Sequence, residues 1–202
     1  MRIESKSVKC VVVGDEAVGK TSILTSYTAN SFEVEHISTI FETYSATLMV
    51  DNVPILLDLY DTTGQAVFDS MRPLLYQNTD VFIACYSILS QESLLNVRNK
   101  WIPEIQQHCP DTPIVVVATK TDLQGEPAAL EKLADKNLRM VNFSEGSNVA
   151  REFGAKFMEC SALECNGIKI LFDEAIRAVF VNTQTDCSSK KKSKNKKRCN
   201  LL

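Results

Sequence analysis

Residues Gly14 to Thr21 read Gly-Asp-Glu-Ala-Val-Gly-Lys-Thr, the pattern G-x-x-x-x-G-K-[ST], and no other stretch limits the fold so tightly. The pattern predicts a loop whose backbone N–H groups wrap the phosphates of a nucleoside triphosphate. Lys20 would reach the β and γ phosphates and the Thr21 hydroxyl would hold Mg²⁺. At ordinary residue frequencies such a match arises by chance in roughly one chain in a hundred. Context sharpens it. A continuous apolar run (Val11, Val12, Val13, after Val8 and Cys10) precedes the loop, and a helical pattern over 20–30 follows it. A helix starting there adds partial positive charge for the phosphates. One residue fits poorly: Glu16 places a carboxylate inside a loop built for anions, and asks whether a bound triphosphate can be cleaved.

The rest of the chain alternates strands and helices. Strands are predicted over 9–13, 44–50, 53–60, 81–87, 114–119 and 156–160. Asp51-Asn52 between the second and third predicts an antiparallel hairpin. Helices are predicted over 20–30, 91–107, 147–153 and 167–180. The last carries Ile168, Leu171, Phe172, Ala175, Ile176, Val179 and Phe180 on one face. Pro103 predicts an early end or a kink in the second helix. Apolar strands separated by helices imply an α/β fold, a six-stranded, mostly parallel sheet with helices on both faces.

Composition adds exclusions. At 202 residues, 45% of them hydrophobic, the chain can bury one ordinary core. No apolar run reaches bilayer-spanning length, and with Met-Arg-Ile-Glu-Ser-Lys as the first residues neither a secretory leader nor N-myristoylation at position 2 is expected. The seven cysteines are scattered without a C-x-x-C pair. Cys10, Cys85 and Cys160, in or beside apolar runs, are expected as small core hydrophobes in a reducing compartment. Trp101 is expected to pack, and His108 to end a helix or lie at the surface. Net charge is −3, yet residues 190–198 contribute +7, so the rest of the chain carries −10. An acidic body with a basic tail argues against nucleic-acid binding. The segment after about Val181 is poor in hydrophobics and is expected to be disordered.

Three further motifs fall at strand ends, where such sheets bind ligands. In Asp61-Thr62-Thr63-Gly64-Gln65 the carboxylate of Asp61 can engage Mg²⁺ through water, and the Gly64 N–H can meet a γ-phosphate. In Thr119-Lys120-Thr121-Asp122 the carboxylate of Asp122 can accept both N–H groups of a guanine edge. Ser161-Ala162-Leu163 can offer backbone N–H groups to the guanine carbonyl.

With these motifs in order, the chain resembles a Ras-superfamily small GTPase, specifically the Rho/Rac family, over about residues 5–181 and the tail. The Rho-type markers are Tyr44-Ser45-Ala46, Met71-Arg72-Pro73-Leu74, Lys100-Trp101-Ile102-Pro103-Glu104 and Phe172-Asp173-Glu174-Ala175-Ile176-Arg177. An extra segment at about 125–137 resembles the Rho insert helix, with Pro127 suited to a first helical position. The resemblance implies a G domain over 1–181, binding GTP or GDP with Mg²⁺. Its nucleotide site would take in Gly14, Glu16, Ala17, Val18, Gly19, Lys20, Thr21, Ser22, Phe32, Thr39, Asp61, Gly64, Thr119, Lys120, Asp122, Ser161, Ala162 and Leu163. Thr21, Thr39 and Asp61 would serve the metal. Phe32 would cover the guanine ring, Gln65 would orient the attacking water with Lys20 on the phosphates, and a GAP would supply an arginine finger. His36, Ile37, Ser38, Thr39, Phe41, Thr63 and Phe68 would form the switch and effector surface. Exchange factors, GAPs, a GDP-dissociation inhibitor and effectors are the implied partners of a monomer.

Three departures from the family stand out. Glu16 and Thr63 replace the usual Gly and Ala beside the γ-phosphate, and His36 and Ser38 replace the usual Tyr and Pro. The first two predict slowed or GAP-insensitive hydrolysis; the alternative is a normally cycling enzyme that tolerates them. Residues 182–202 form the polybasic tail. Cys199-Asn200-Leu201-Leu202 fits C-a-a-X, and its terminal Leu points to geranylgeranyl. One lipid gives only marginal anchoring, and the basic run supplies a second signal toward anionic lipid. Cys187 is a candidate for palmitoylation. The expected location is the cytoplasmic face of the plasma membrane, with a cytosolic pool.

Overall fold

The computed structural model describes residues 6–29, 41–51 and 53–192, with side chains placed as far as Val181. Phe32, His36, Ile37, Ser38, Thr39 and Cys199, and the Cys187 side chain, lie outside the described residues. The strands are β1 (Lys6–Gly14), β2 (Phe41–Val50), β3 (Val53–Thr62), β4 (Val81–Ser87), β5 (Ile114–Thr119) and β6 (Lys156–Glu159). The α-helices are α1 (Lys20–Ala29), α2 (Gln91–Asn96), α3 (Ile102–His108), α4 (Pro127–Ala134), α5 (Phe143–Glu152) and α6 (Ile168–Lys192). The six strands form one sheet in the order β2-β3-β1-β4-β5-β6. Every pairing is parallel except β2 with β3, whose register runs from Phe41 opposite Thr62 to Val50 opposite Val53. Asp51 takes the positive φ of +48° that a tight hairpin turn demands.

Strands β4 and β5 are buried along their whole length, as parallel strands covered on both faces must be. The two-residue alternation of β1 splits the core. Val8, Cys10 and Val12 pack with Ile23 and Leu24 of α1 and Leu171, Phe172 and Ile176 of α6. Val11 and Val13 face the other side, with Trp101, Ile102 and Ile105. Cys10, Cys85 and Cys160 are buried free thiols, and burial pushes the Cys160 thiol up to about 12.

Three helices differ from their predicted spans, each for a local reason. The expected 91–107 helix is α2, then a π-helical turn over Val97–Trp101, then α3. The Ile102 N–H reaches back five residues to the Val97 carbonyl. Pro103, which has no N–H and would press on the carbonyl four residues earlier, is accommodated by this wider turn, so the helix continues. Helix α5 begins four residues before the predicted start because Asn142 caps it. The Asn142 side chain accepts the Glu145 N–H, while the Glu145 carboxylate accepts the Asn142 N–H. Helix α6 continues to Lys192, into the segment expected to be disordered. No Gly or Pro lies between Ile168 and Lys192 to break its hydrogen-bond ladder. The segment at about 125–137 contains α4, with Pro127 at its first position.

Candidate functional site

The four motifs lie at the carboxyl ends of β1, β3, β5 and β6 and in the loops that follow them. After β1, Gly14 has φ +144°, and a Cβ there would lie 2.4 Å from the Cys85 carbonyl oxygen, so only glycine lets the loop pass this close to β4. Gly19, at φ +102°, turns the chain into α1. The loop is then held from β5. The Thr119 hydroxyl donates to the Val18 carbonyl at 2.5 Å, and Lys120 Nζ donates to the Ala17 carbonyl at 2.7 Å.

Lys20 is 7% exposed. Its ammonium donates to the carbonyls of Gly14 at 2.9 Å and Asp15 at 2.6 Å. Burial lowers its pKa, and Asp61 is the strongest influence in the other direction. A desolvated ammonium held by loop carbonyls is well placed to meet phosphate oxygens. The Thr21 hydroxyl donates to Asp61 Oδ2 at 2.5 Å, so two oxygen groups suited to a hard cation such as Mg²⁺ already converge.

The segment after β3 folds back onto this loop. A Cβ on Gly64 would fall 2.4 Å from the Glu16 nitrogen, so glycine alone allows the contact. Gln65 Nε2 donates to Glu16 Oε1 at 3.1 Å. Thr63 is buried, its hydroxyl accepts the Gln65 N–H at 3.1 Å, and its carbonyl accepts Arg72 Nε at 3.0 Å. The fully buried Arg72 also pairs with Glu104 at 3.0 Å, and Glu104 accepts the Tyr76 hydroxyl at 2.5 Å. Phe41 and Phe68 meet edge to face, 5.9 Å between ring centres.

At the other end, a cavity of about 240 Å³ is lined by Ala17, Gly19, Ser22, Thr119, Lys120, Asp122, Ala162 and Leu163. Asp122 Oδ1 accepts the Ser161 hydroxyl at 2.6 Å, and Ser161 in turn accepts the Glu164 N–H. Lys120 takes a left-handed conformation, φ +61°, to reach the phosphate loop, and burial lowers its pKa.

The model of the Ras family matches residues 9–181. The chain belongs to the Ras family. It carries a Ras-family GTPase domain, the fold of small GTP-binding switches, whose members bind guanine nucleotides with Mg²⁺ and work with regulators and effectors. Of the site residues read from the sequence, Ala17, Gly19, Ser22, Thr119, Lys120, Asp122, Ala162 and Leu163 line one cavity, and Thr21 and Asp61 meet in a hydrogen bond.

Sequence reading missed others. Ile23 and Leu123 line the cavity. Ile23 stands three positions after Lys20 on α1, and Leu123 directly follows Asp122, so helical spacing and adjacency were the available signals. Trp101 was expected only to pack. It is fully buried, but its indole N–H also donates to Asp15 Oδ1 at 2.7 Å.

Proposed function

We propose that this Ras-family protein is a Rho-type, membrane-anchored signalling switch whose GTP hydrolysis is slowed. The hydrogen bond from Gln65 to Glu16 carries the reading. Gln65 is the residue proposed to orient the attacking water, and here its amide is spent on a carboxylate beside the phosphates. That carboxylate also opposes negative charge gathering on a transferring phosphoryl group and crowds an arginine finger. Thr63 adds bulk from the other side, and its hydroxyl fixes the Gln65 backbone.

In this reading Lys20 grips the phosphates, and Thr21, Thr39 and Asp61 serve Mg²⁺. When bound by these residues, Mg²⁺ would supply positive charge to offset that of the phosphates. Thr119, Lys120 and Asp122 hold the guanine, with Ser161, Ala162 and Leu163 closing over it. Rho-type exchange factors, GAPs, a GDP-dissociation inhibitor and effectors act on it, toward the actin cytoskeleton. A geranylgeranyl group on Cys199 with the basic run holds it at the cytoplasmic face of the plasma membrane. Changing Cys199 to Ser should move the protein from the membrane to the soluble fraction; retention on membranes would defeat the anchor.

The deciding experiment is the nucleotide carried through purification, followed by single-turnover hydrolysis with and without a Rho GAP. Bound GTP is expected, with a partial GAP response in Glu16→Gly and a strong one only in the Glu16→Gly, Thr63→Ala double variant. Bound GDP and a strong GAP response in the unmodified chain would instead establish a normally cycling enzyme, a reading favoured by the exposure of Glu16.

A further inference from the structure

Asn96 and Trp101 are five residues apart, and in an α-helix that spacing turns two side chains about 140° away from each other. Here they grip the same group. Asn96 Nδ2 donates to Asp15 Oδ2 at 2.8 Å, and Trp101 Nε1 donates to Asp15 Oδ1 at 2.7 Å. The π-helical turn over Val97–Trp101 makes this possible, because its wider turn brings residues five apart onto one side.

The grip lies behind the phosphate loop. Asp15 is the second residue of that loop, and its backbone carbonyl accepts the Lys20 ammonium at 2.6 Å. Fixing the Asp15 side chain therefore fixes the peptide that aims Lys20. The two N–H donors also satisfy a carboxylate that would otherwise sit unpaired beside an anion site. The Trp101 ring carries the Arg72 guanidinium 4.6 Å from its centre, and Arg72 holds the carbonyls of Thr63 and Gln65. One buried indole thus braces both walls around the phosphates.

We infer that Asn96 and Trp101 are positioning residues that hold Asp15, keep Lys20 on the phosphates and so set how long a nucleotide stays bound. The inference rests on the guanine-nucleotide site, not on slowed hydrolysis.

The test is the dissociation rate of N-methylanthraniloyl-GDP from the full chain, chased with excess GDP. Trp101→Phe keeps an aromatic ring and removes the N–H. It should speed release about tenfold, the loss expected for a hydrogen bond to a charged group. Asp15→Ala should speed release at least as much, and the Asp15→Ala, Trp101→Phe double variant should be no faster than Asp15→Ala alone. A wild-type rate in Trp101→Phe overturns the inference, and so do effects that multiply in the double variant, because packing alone would give either. Should Asp15→Ala fail to fold, Asn96→Ala removes only the second donor; several-fold faster release supports the grip and a wild-type rate overturns it. GDP release requires no hydrolysis, so failure here leaves the Glu16 reading standing, and the GAP assay can fail without touching this one.

Discussion

The two ends of the nucleotide cleft are built from the same materials and arranged to opposite effect. At the base end, Ser161 steadies Asp122, while Thr119 and Lys120 brace the phosphate loop from behind. These bonds leave a cavity with a carboxylate at its wall, and they orient groups for the role proposed for them. At the phosphate end, the bond from Gln65 to Glu16 engages a side chain in place of that role. Binding draws on both ends, whereas hydrolysis depends on the second alone. In the proposed reading, Glu16 and Thr63 therefore leave the ligand bound while slowing its hydrolysis.

The largest expected effect sharpens the base end. In the proposed reading, Asp122→Ala would remove two charge-assisted hydrogen bonds to a guanine edge, each worth roughly 1.5–3 kcal/mol, so GDP affinity should fall about 10²- to 10⁴-fold. Competition binding against fluorescent GDP measures this. A loss under about tenfold would mean that the base is not held at Asp122, and the contrast between the ends would collapse.

The next effect addresses the phosphate end. Glu16→Gly frees the Gln65 amide and removes a charge, and should raise GAP-stimulated hydrolysis about tenfold, equivalent to ~1.4 kcal/mol of barrier, with GDP affinity unchanged. Adding Thr63→Ala should raise it further. If Glu16→Gly altered affinity and left the rate alone, the two ends would not divide binding from chemistry.

How much of this was legible in the sequence follows from how local each signal is. The sheet was readable because β4 and β5 are unbroken apolar runs and the Asp51 turn joins adjacent strands. The cleft was readable because each motif sits directly after its strand. The Asn142 capping box was present in the residues, Asn-x-x-Glu, and went unused, which placed the start of α5 late. The π-helical turn was not legible beyond a break at Pro103: whether a helix stops or widens depends on what its far side packs against, here the Asp15 carboxylate. The Gln65 to Glu16 bond joins positions 49 apart in sequence, and no spacing rule reaches that far. Crowding at the phosphates was expected from the two substitutions; the captured amide was not.

The smallest effect probes the scaffold behind the base end. Helix α5 leads into β6, whose end carries Ser161 to Leu163, and α5 is fastened by Glu145. Hydrogen bonds from Arg139, and then from the Asn142 N–H, hold the Glu145 carboxyl down at about 2. The unfolded chain, with this group near 4.5, takes up its proton first. The stability the contact supplies is therefore complete above about 4.5 and drains away as pH falls through about 2. Losing such a cap costs about 1 kcal/mol, or roughly 2–4 °C in a chain of this size. Glu145→Gln keeps the shape and drops the charge, so its melting temperature should lie that far below the unmodified chain near neutral pH. The difference should narrow as the pH is lowered from about 5 to about 3. A constant difference across that range would show that the cap acts through shape alone. A shift in GAP-stimulated hydrolysis alongside it would show that the base-end scaffold and the phosphate end are coupled, and the separation of the two ends would fail.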